Sequence, residues 1–172
     1  MSKMRRYKRE VTDPDVIRQI LEDCTVVRLG LQDAEGMFVI PLNFGYEYFP
    51  GEAIRLYIHS AKEGRKAAAF AKCSQAAVEL DCQDDLIRGD YACGYSMAYR
   101  SIMGSGVVRK LETNEEKIHG LTLLMGHLAP GASMDFQKQH LDAADIYCVE
   151  VREFTAKMRR PQSNLTEGGK IQ

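Results

Sequence analysis

No stretch of this 172-residue chain approaches the roughly 20 consecutive apolar residues that a bilayer-crossing helix needs. The opening MSKMRRYKRE is polar and lacks the apolar core of a secretory signal, so the expected location is cytoplasmic, away from any membrane. An excess of one charge is missing as well. With 23 Lys and Arg against 24 Asp and Glu, the net charge is -1, which removes any overall electrostatic drive toward nucleic acid or an anionic lipid surface. The five cysteines (Cys24, Cys73, Cys82, Cys93, Cys148) are an odd number and none stands in a CxxC spacing. That argues against a disulfide framework and a zinc clip; reduced, partly buried thiols and no metal site are expected. No internal repeat is visible. Basic clusters at Lys3, Arg5, Arg6, Lys8 and Arg9, and again at Lys157, Arg159 and Arg160, flank the chain ends and read as solvated tails. Asn164-Leu165-Thr166 has the form of a glycosylation sequon, accidental in a chain without a secretory signal.

What is present is enough apolar residue, 45%, for one sizeable core, so a single domain over 1–158 with a polar tail over 159–172 is expected. Asp13-Pro14 followed by Val16, Ile17, Ile20 and Leu21 predicts a short amphipathic helix over 13–23. From Thr25 the period changes to that of strands: TVVRLGLQD, MFVIPLNFGYEY and IRLYIHS, separated by turns at Ala34-Glu35-Gly36 and Phe49-Pro50-Gly51, predict a three-stranded antiparallel meander. Pro41 cannot donate to a ladder, which puts its strand at an edge or a bulge. Gln75 to Cys82 predicts a strand, and Gly89 to Glu112 one long or two short strands broken near Gly104 and Gly106. Thr113 and Glu116 form a capping box before Ile118, Leu121, Leu124, Met125 and Leu128, a stripe that reads as packing. A short helix over 133–144 and a strand over 146–154 complete the chain. Tyr46, Tyr48, Tyr91 and Tyr95 read as strand aromatics, and His119, His127 and His140 as structural. The class is mainly β, a barrel with peripheral helices.

Residues 54–66, IRLYIHSAKEGRK, concentrate the chemistry. Ser60 with Glu63 has the spacing of a capping box, which would start a helix at Ser60 carrying Arg65 and Lys66. A helix start gathers unpaired N–H groups and the positive end of the macrodipole, so two cations there make either a phosphate cradle or a capped, solvated surface helix.

The segments VIPLNFGYE, LYIHSAKEGRK and YRSIMGSGVVRKLETNEEKIHGLTLLM resemble, in order and spacing, the pyridoxamine 5'-phosphate oxidase-like FMN-binding split barrels and, within them, the 5-nitroimidazole reductase (nitroimidazole resistance) branch. The likeness runs from about Met4 to Lys157. It implies a six-stranded antiparallel split barrel that dimerises with FMN in clefts between subunits. By resemblance, His59, Ser60, Ala61, Gly64, Arg65 and Lys66 would hold the FMN phosphate. Pro41, Leu42 and Asn43 would lie along the flavin ring, and Tyr99, Ser101 and Gly104 would contact the cofactor. His59 is either a proton donor beside the flavin or a residue orienting the helix start. Ser105 replaces the phenylalanine often found in that branch, and CSQAAVELD lacks its usual Asn-Pro. The implied activity is a flavin oxidoreductase reducing a small nitroaromatic or related acceptor. The alternatives are a non-catalytic flavin-binding or sensor protein, or a split barrel taking haem or a deazaflavin. Pyridoxamine phosphate oxidation itself is disfavoured, because no arginine and lysine set for that substrate's phosphate is evident.

Overall fold

The computed structural model describes residues 6–137, 141 and 143–161. The short helix expected over 133–144 falls partly outside the described residues, as do His140, the sequon, and all but residues 159–161 of the tail. Strands β1 (Glu10–Val11), β2 (Val26–Asp33), β3 (Gly36–Asn43), β4 (Gly45–Phe49), β5 (Ala53–Ser60), β6 (Gln75–Ile87), β7 (Ser96–Lys110) and β8 (Asp145–Arg159) pair antiparallel throughout. Their order is β3-β2-β6-β7-β8-β5-β4, with β1 added to β8. The two outermost strands, β3 and β4, are consecutive in the chain, with only fully buried Phe44 between them. The sheet therefore closes on itself through a covalent corner, which is a split barrel. Counting β3 and β4 as one strand bent at Phe44 and leaving out two-residue β1, six long strands build it.

The expected three-strand meander is thus corrected to two hairpins, β2–β3 and β4–β5, that sit at opposite ends of the strand order. Pro41 lies in edge strand β3, where its missing N–H leaves no ladder bond unmade. Residues 96–110 form one strand, not two. β8 is bulged where it passes Ser105 and Gly106, and a Cβ on Gly104 would come 2.5 Å from the Glu153 carbonyl.

Inside the barrel, Val27, Leu29, Leu56, Leu80, Ile102 and Val149 are essentially inaccessible. Helix α1 (Pro14–Asp23) turns Ile17, Ile20 and Leu21 onto this core, and the Asp13 carboxylate caps it by accepting from the Asp15 N–H at 3.0 Å. Helix α3 (Asn114–Leu128) packs on the outer face of β4, β5 and β8 over a second small cluster of Tyr57, Leu111, Ile146 and Cys148. Its capping box, Thr113 with Glu116, is formed in both directions. Lys157 and Arg159, expected in a solvated tail, instead extend β8 opposite Ser101 and Tyr99, and Arg159 bonds Ser96. Tyr91 and Tyr95 flank a single 3-10 turn at Ala92–Gly94 and are exposed, so they are not strand residues. Among the described residues no helix is long and apolar enough to cross a membrane, and no group of three His, Cys, Asp or Glu side chains is placed to hold a metal ion.

Candidate functional site

The junction between β5 and the helix that follows it departs from the local rule that predicted it. Ser60 is still in β5, paired with Asp145 and 2% exposed, and its hydroxyl donates to the Ala61 carbonyl at 2.8 Å. Helix α2 (Arg65–Lys72) starts only after Gly64. The Ser60–Glu63 capping box is therefore absent: the sheet claims the serine, and the chain needs four more residues to turn out of the ladder. Gly64 makes the turn with φ +107°, a conformation that glycine adopts without strain. Space where its Cβ would stand is open to 4 Å. As a cap Gly64 has no side chain to offer, so the N–H groups of Arg65, Lys66 and Ala67 receive no side-chain acceptor; the first helical bond runs from the Ala68 N–H to the Gly64 carbonyl at 3.0 Å. These orphan donors point the positive end of α2 toward the exposed backbone of residues 61–64.

The two cations of the junction have different fates. Arg65 is engaged: its Nε and Nη2 donate to the Asp33 carboxylate at 2.7 and 2.9 Å, Nη1 lies 3.6 Å from Glu35, and the guanidinium sits 4.1 Å from the Phe38 ring centroid. The Arg65 hydrogen bonds hold the Asp33 carboxyl below the ordinary carboxylate range and, reciprocally, raise Arg65 above its own. Lys66 is partly buried, and among the described residues no carboxylate comes within ion-pair distance of it. Burial alone pushes its ammonium below the ordinary lysine value. A desolvated cation without a partner, next to uncapped N–H groups and an open turn, is the donor set that a phosphate monoester takes. Asp33 and Phe38, which join this site from the β2–β3 hairpin, were missed from sequence because nothing local ties them to a helix 32 residues away.

That Arg65 contact also brings β3 to the junction, although β3 and β5 share no ladder. On β3 the outward positions are Met37, Val39, Pro41 and Asn43. Leu42 faces inward against the core, and the Asn43 side-chain amide donates to the Thr25 carbonyl at 2.9 Å. What Pro41, Leu42 and Asn43 present outward is thus main chain on a free sheet edge. His59 is exposed on the outer face of β5, one residue before Ser60.

Tyr99, Ser101 and Gly104 are not brought to this junction within the chain. They lie on β7, with only β8 between it and β5, but they pair with Arg159, Lys157 and Phe154, far along β8 from Asp145, the residue opposite Ser60. Tyr99 accepts from Arg9 at 3.3 Å, and the missing side chain of Gly104 is required by the close carbonyl of β8. A groove of about 360 Å³ between Arg55, Tyr57, Val107, Arg109, Cys148 and Glu150 opens on the outer face of β5, β8 and β7 and shares no residue with the junction. Burial raises the Cys148 thiol there to about 11, so it is a protonated wall of the groove.

No curated protein matches the sequence. Among solved structures, a candidate 5-nitroimidazole antibiotic resistance protein from Bacteroides thetaiotaomicron is similar at 28% identity, with 87% of this chain and 86% of that one covered and a TM-score of 0.74. The flavocytochrome Anf3 from Azotobacter vinelandii (20% identity, 92% and 73% covered, TM-score 0.75) and an FAD and heme binding protein from Mycobacterium smegmatis (18%, 90% and 76%, TM-score 0.75) share the fold. The family model for pyridoxamine 5'-phosphate oxidase matches residues 13–158, from the cap of α1 to the end of β8. The chain belongs to that family.

Proposed function

We propose that this chain binds FMN and acts as a homodimeric flavin oxidoreductase on a small nitroaromatic or related acceptor. The observation that carries the reading is Lys66, a partly buried ammonium without a carboxylate partner at an uncapped helix start. Its charge, the N–H groups of the first turn of α2 and the open side of Gly64 would hold the phosphate. The free edge of β3 would offer main-chain groups to the polar rim of the ring. Bound FMN supplies electron or hydride transfer, which no side chain of the protein can. His59, exposed at the same junction, would give a proton from its imidazole to the reduced acceptor.

A second copy is favoured by the sheet's bare outer face. Met37 is 82% exposed, Val39 65%, Val107 51% and Met103 49%. The cross-strand row Val39, Gly30, Ala77 and Ser105 between them is nearly flat. Exposed apolar surface of this kind marks an interface. Docking there would cover the strand carrying Tyr99 and Ser101 and give those residues a cofactor to meet across the cleft. The five free thiols suit a reducing cytoplasm.

The test is reconstitution. Purified protein with excess FMN is expected to show a bound-flavin visible spectrum and a raised melting temperature; neither appearing would overturn the proposal. Lys66→Ala should weaken FMN binding by about tenfold or more, roughly the worth of a charge-assisted bond, while Lys62→Ala, on the exposed turn, should change little. Binding without turnover of a nitro acceptor would instead identify a flavin carrier or sensor. A haem or deazaflavin spectrum in the protein as isolated would replace FMN.

A further inference from the structure

We propose that Arg65 and Asp33 are a positioning clamp for the flavin site, and that Arg65 does not ligate the phosphate although it begins the helix that would hold it. The inference rests on the flavin reading above and deepens it.

Every nitrogen of the Arg65 guanidinium is directed at an acid. Nε and Nη2 form a parallel pair of bonds with the two Asp33 oxygens, Nη1 faces Glu35, and one face of the group covers the Phe38 ring. This bidentate fork is geometry that arginine fits and lysine does not. Asp33 is held in turn, because its Oδ1 accepts the Glu35 N–H at 2.9 Å in the tight turn that ends at Gly36, φ +118°. A phosphate dianion reaching for Arg65 would have to displace one carboxylate and approach a second. It meets neither at Lys66.

The clamp joins two elements that share no ladder. β3 reaches β5 through the Phe44 corner and β4, and no direct ladder joins the strand that would carry the ring to the helix start that would carry the phosphate. Arg65 to Asp33 and Phe38 crosses that gap.

The clamp and a phosphate ligand make opposite predictions for Asp33. FMN and riboflavin, which lacks the phosphate, are titrated into wild type, Arg65→Ala, Asp33→Ala, Lys66→Ala and the exchanged pair Asp33→Arg with Arg65→Asp, each well below its melting temperature. A clamp requires that Arg65→Ala and Asp33→Ala each lose about tenfold for both ligands by the same factor, that Lys66→Ala loses FMN alone, and that the exchanged pair recovers most of the loss. Should Arg65→Ala lose FMN selectively while Asp33→Ala gains it by releasing a competing acid, the clamp is wrong and Arg65 is a phosphate ligand. Arg65→Lys separates the two again if a variant folds poorly: it keeps the charge and loses the fork, so a clamp predicts loss and a charge ligand predicts retention. Wild type that binds neither flavin sinks the functional reading itself; selective loss in Arg65→Ala sinks only this inference.

Discussion

The Nδ1 of His127, in the last turn of α3, donates to the carbonyl of Phe44 at 2.7 Å, at the residue where β3 becomes β4 and the barrel is split. Nε2 of the same ring lies 3.2 Å from the Glu22 carbonyl near the end of α1. The ring stands edge-on to Phe44 and Tyr46 at 4.9 and 5.3 Å between centroids. One imidazole therefore ties both long helices to the covalent corner that closes the sheet.

His127→Ala should cost about 1–3 kcal/mol, because the carbonyl of a fully buried residue loses its donor and two aromatic rings lose an edge. His119, whose ring meets Glu47 at 3.1 Å with half its side chain exposed, makes the comparison. His119→Ala should cost under about 1 kcal/mol, as loss of a half-exposed surface contact does. Equal losses in urea denaturation would show that the corner does not depend on His127.

Two glycines near the same helix should respond with opposite signs. A Cβ on Gly45 of β4 would fall inside the backbone of Leu123 and Leu124, so Gly45→Ala must push α3 off the sheet, at a cost of about 3 kcal/mol or more. Gly126, inside α3, has open space around the added atom and no positive φ. Gly126→Ala should stabilise by about 0.5–1 kcal/mol through the lower backbone entropy of alanine. Thermal melts of the two variants check both signs.

What the sequence made legible follows the range of each interaction. The caps of α1 and α3 were readable because Asp13 with Asp15 and Thr113 with Glu116 close within one turn. Ser60 with Glu63 has the same spacing, yet Ser60 is owned by Asp145 across the ladder, a partner 85 residues away that no window can weigh. Its true replacement, Gly64 before RKAAAFAK, was in view as a ligand-side glycine; its role in starting the helix was not. The division of MFVIPLNFGYEY at Phe44 was hidden for a related reason. Both halves are apolar and aromatic enough to be strand, and the choice of partner, β2 for one and β5 for the other, separates them. Of the site residues, Arg65 meets β3 at Phe38, at the other end of the strand from Leu42 and Asn43. The resemblance and the local charge both point to Arg65, and neither reveals its pairing with Asp33, which lies 32 residues earlier.

The capping box of α3 carries an acid sensitivity. Glu116 is held below its ordinary value first by the Arg109 hydrogen bond and then by the N–H groups of Glu112 and Thr113. Its folded form thus prefers the ionised state more than the unfolded chain does. The stabilisation is fully present above the unfolded value of 4.5 and is lost as pH falls through the lower folded value. Glu116→Gln should flatten that part of the stability profile below pH 4.5 and leave the rest in place. Thr113→Ala should instead lower stability by about 1 kcal/mol at every pH, since a hydroxyl cap does not titrate in that range.

The bare outer face offers the sharpest test of assembly. Val39 stands 65% exposed on β3, with Gly30 opposite it and Ala77 next in the row, so its side chain has nothing of its own chain to lean on and nothing to disturb when replaced. Val39→Lys should leave the monomer's melting behaviour nearly unchanged, as surface substitutions do. If that face joins two copies, a buried lysine at its centre leaves an unpaired charge and should raise the dimer dissociation constant by about a hundredfold. Flavin affinity should fall with it, because the strand bearing Tyr99 and Ser101 would then be withdrawn from the partner's β5–α2 junction. Sedimentation and FMN titration on the same samples decide the matter: an unchanged dimer would place the interface elsewhere, and a monomer that keeps full FMN affinity would mean the junction holds the cofactor without help from a second subunit.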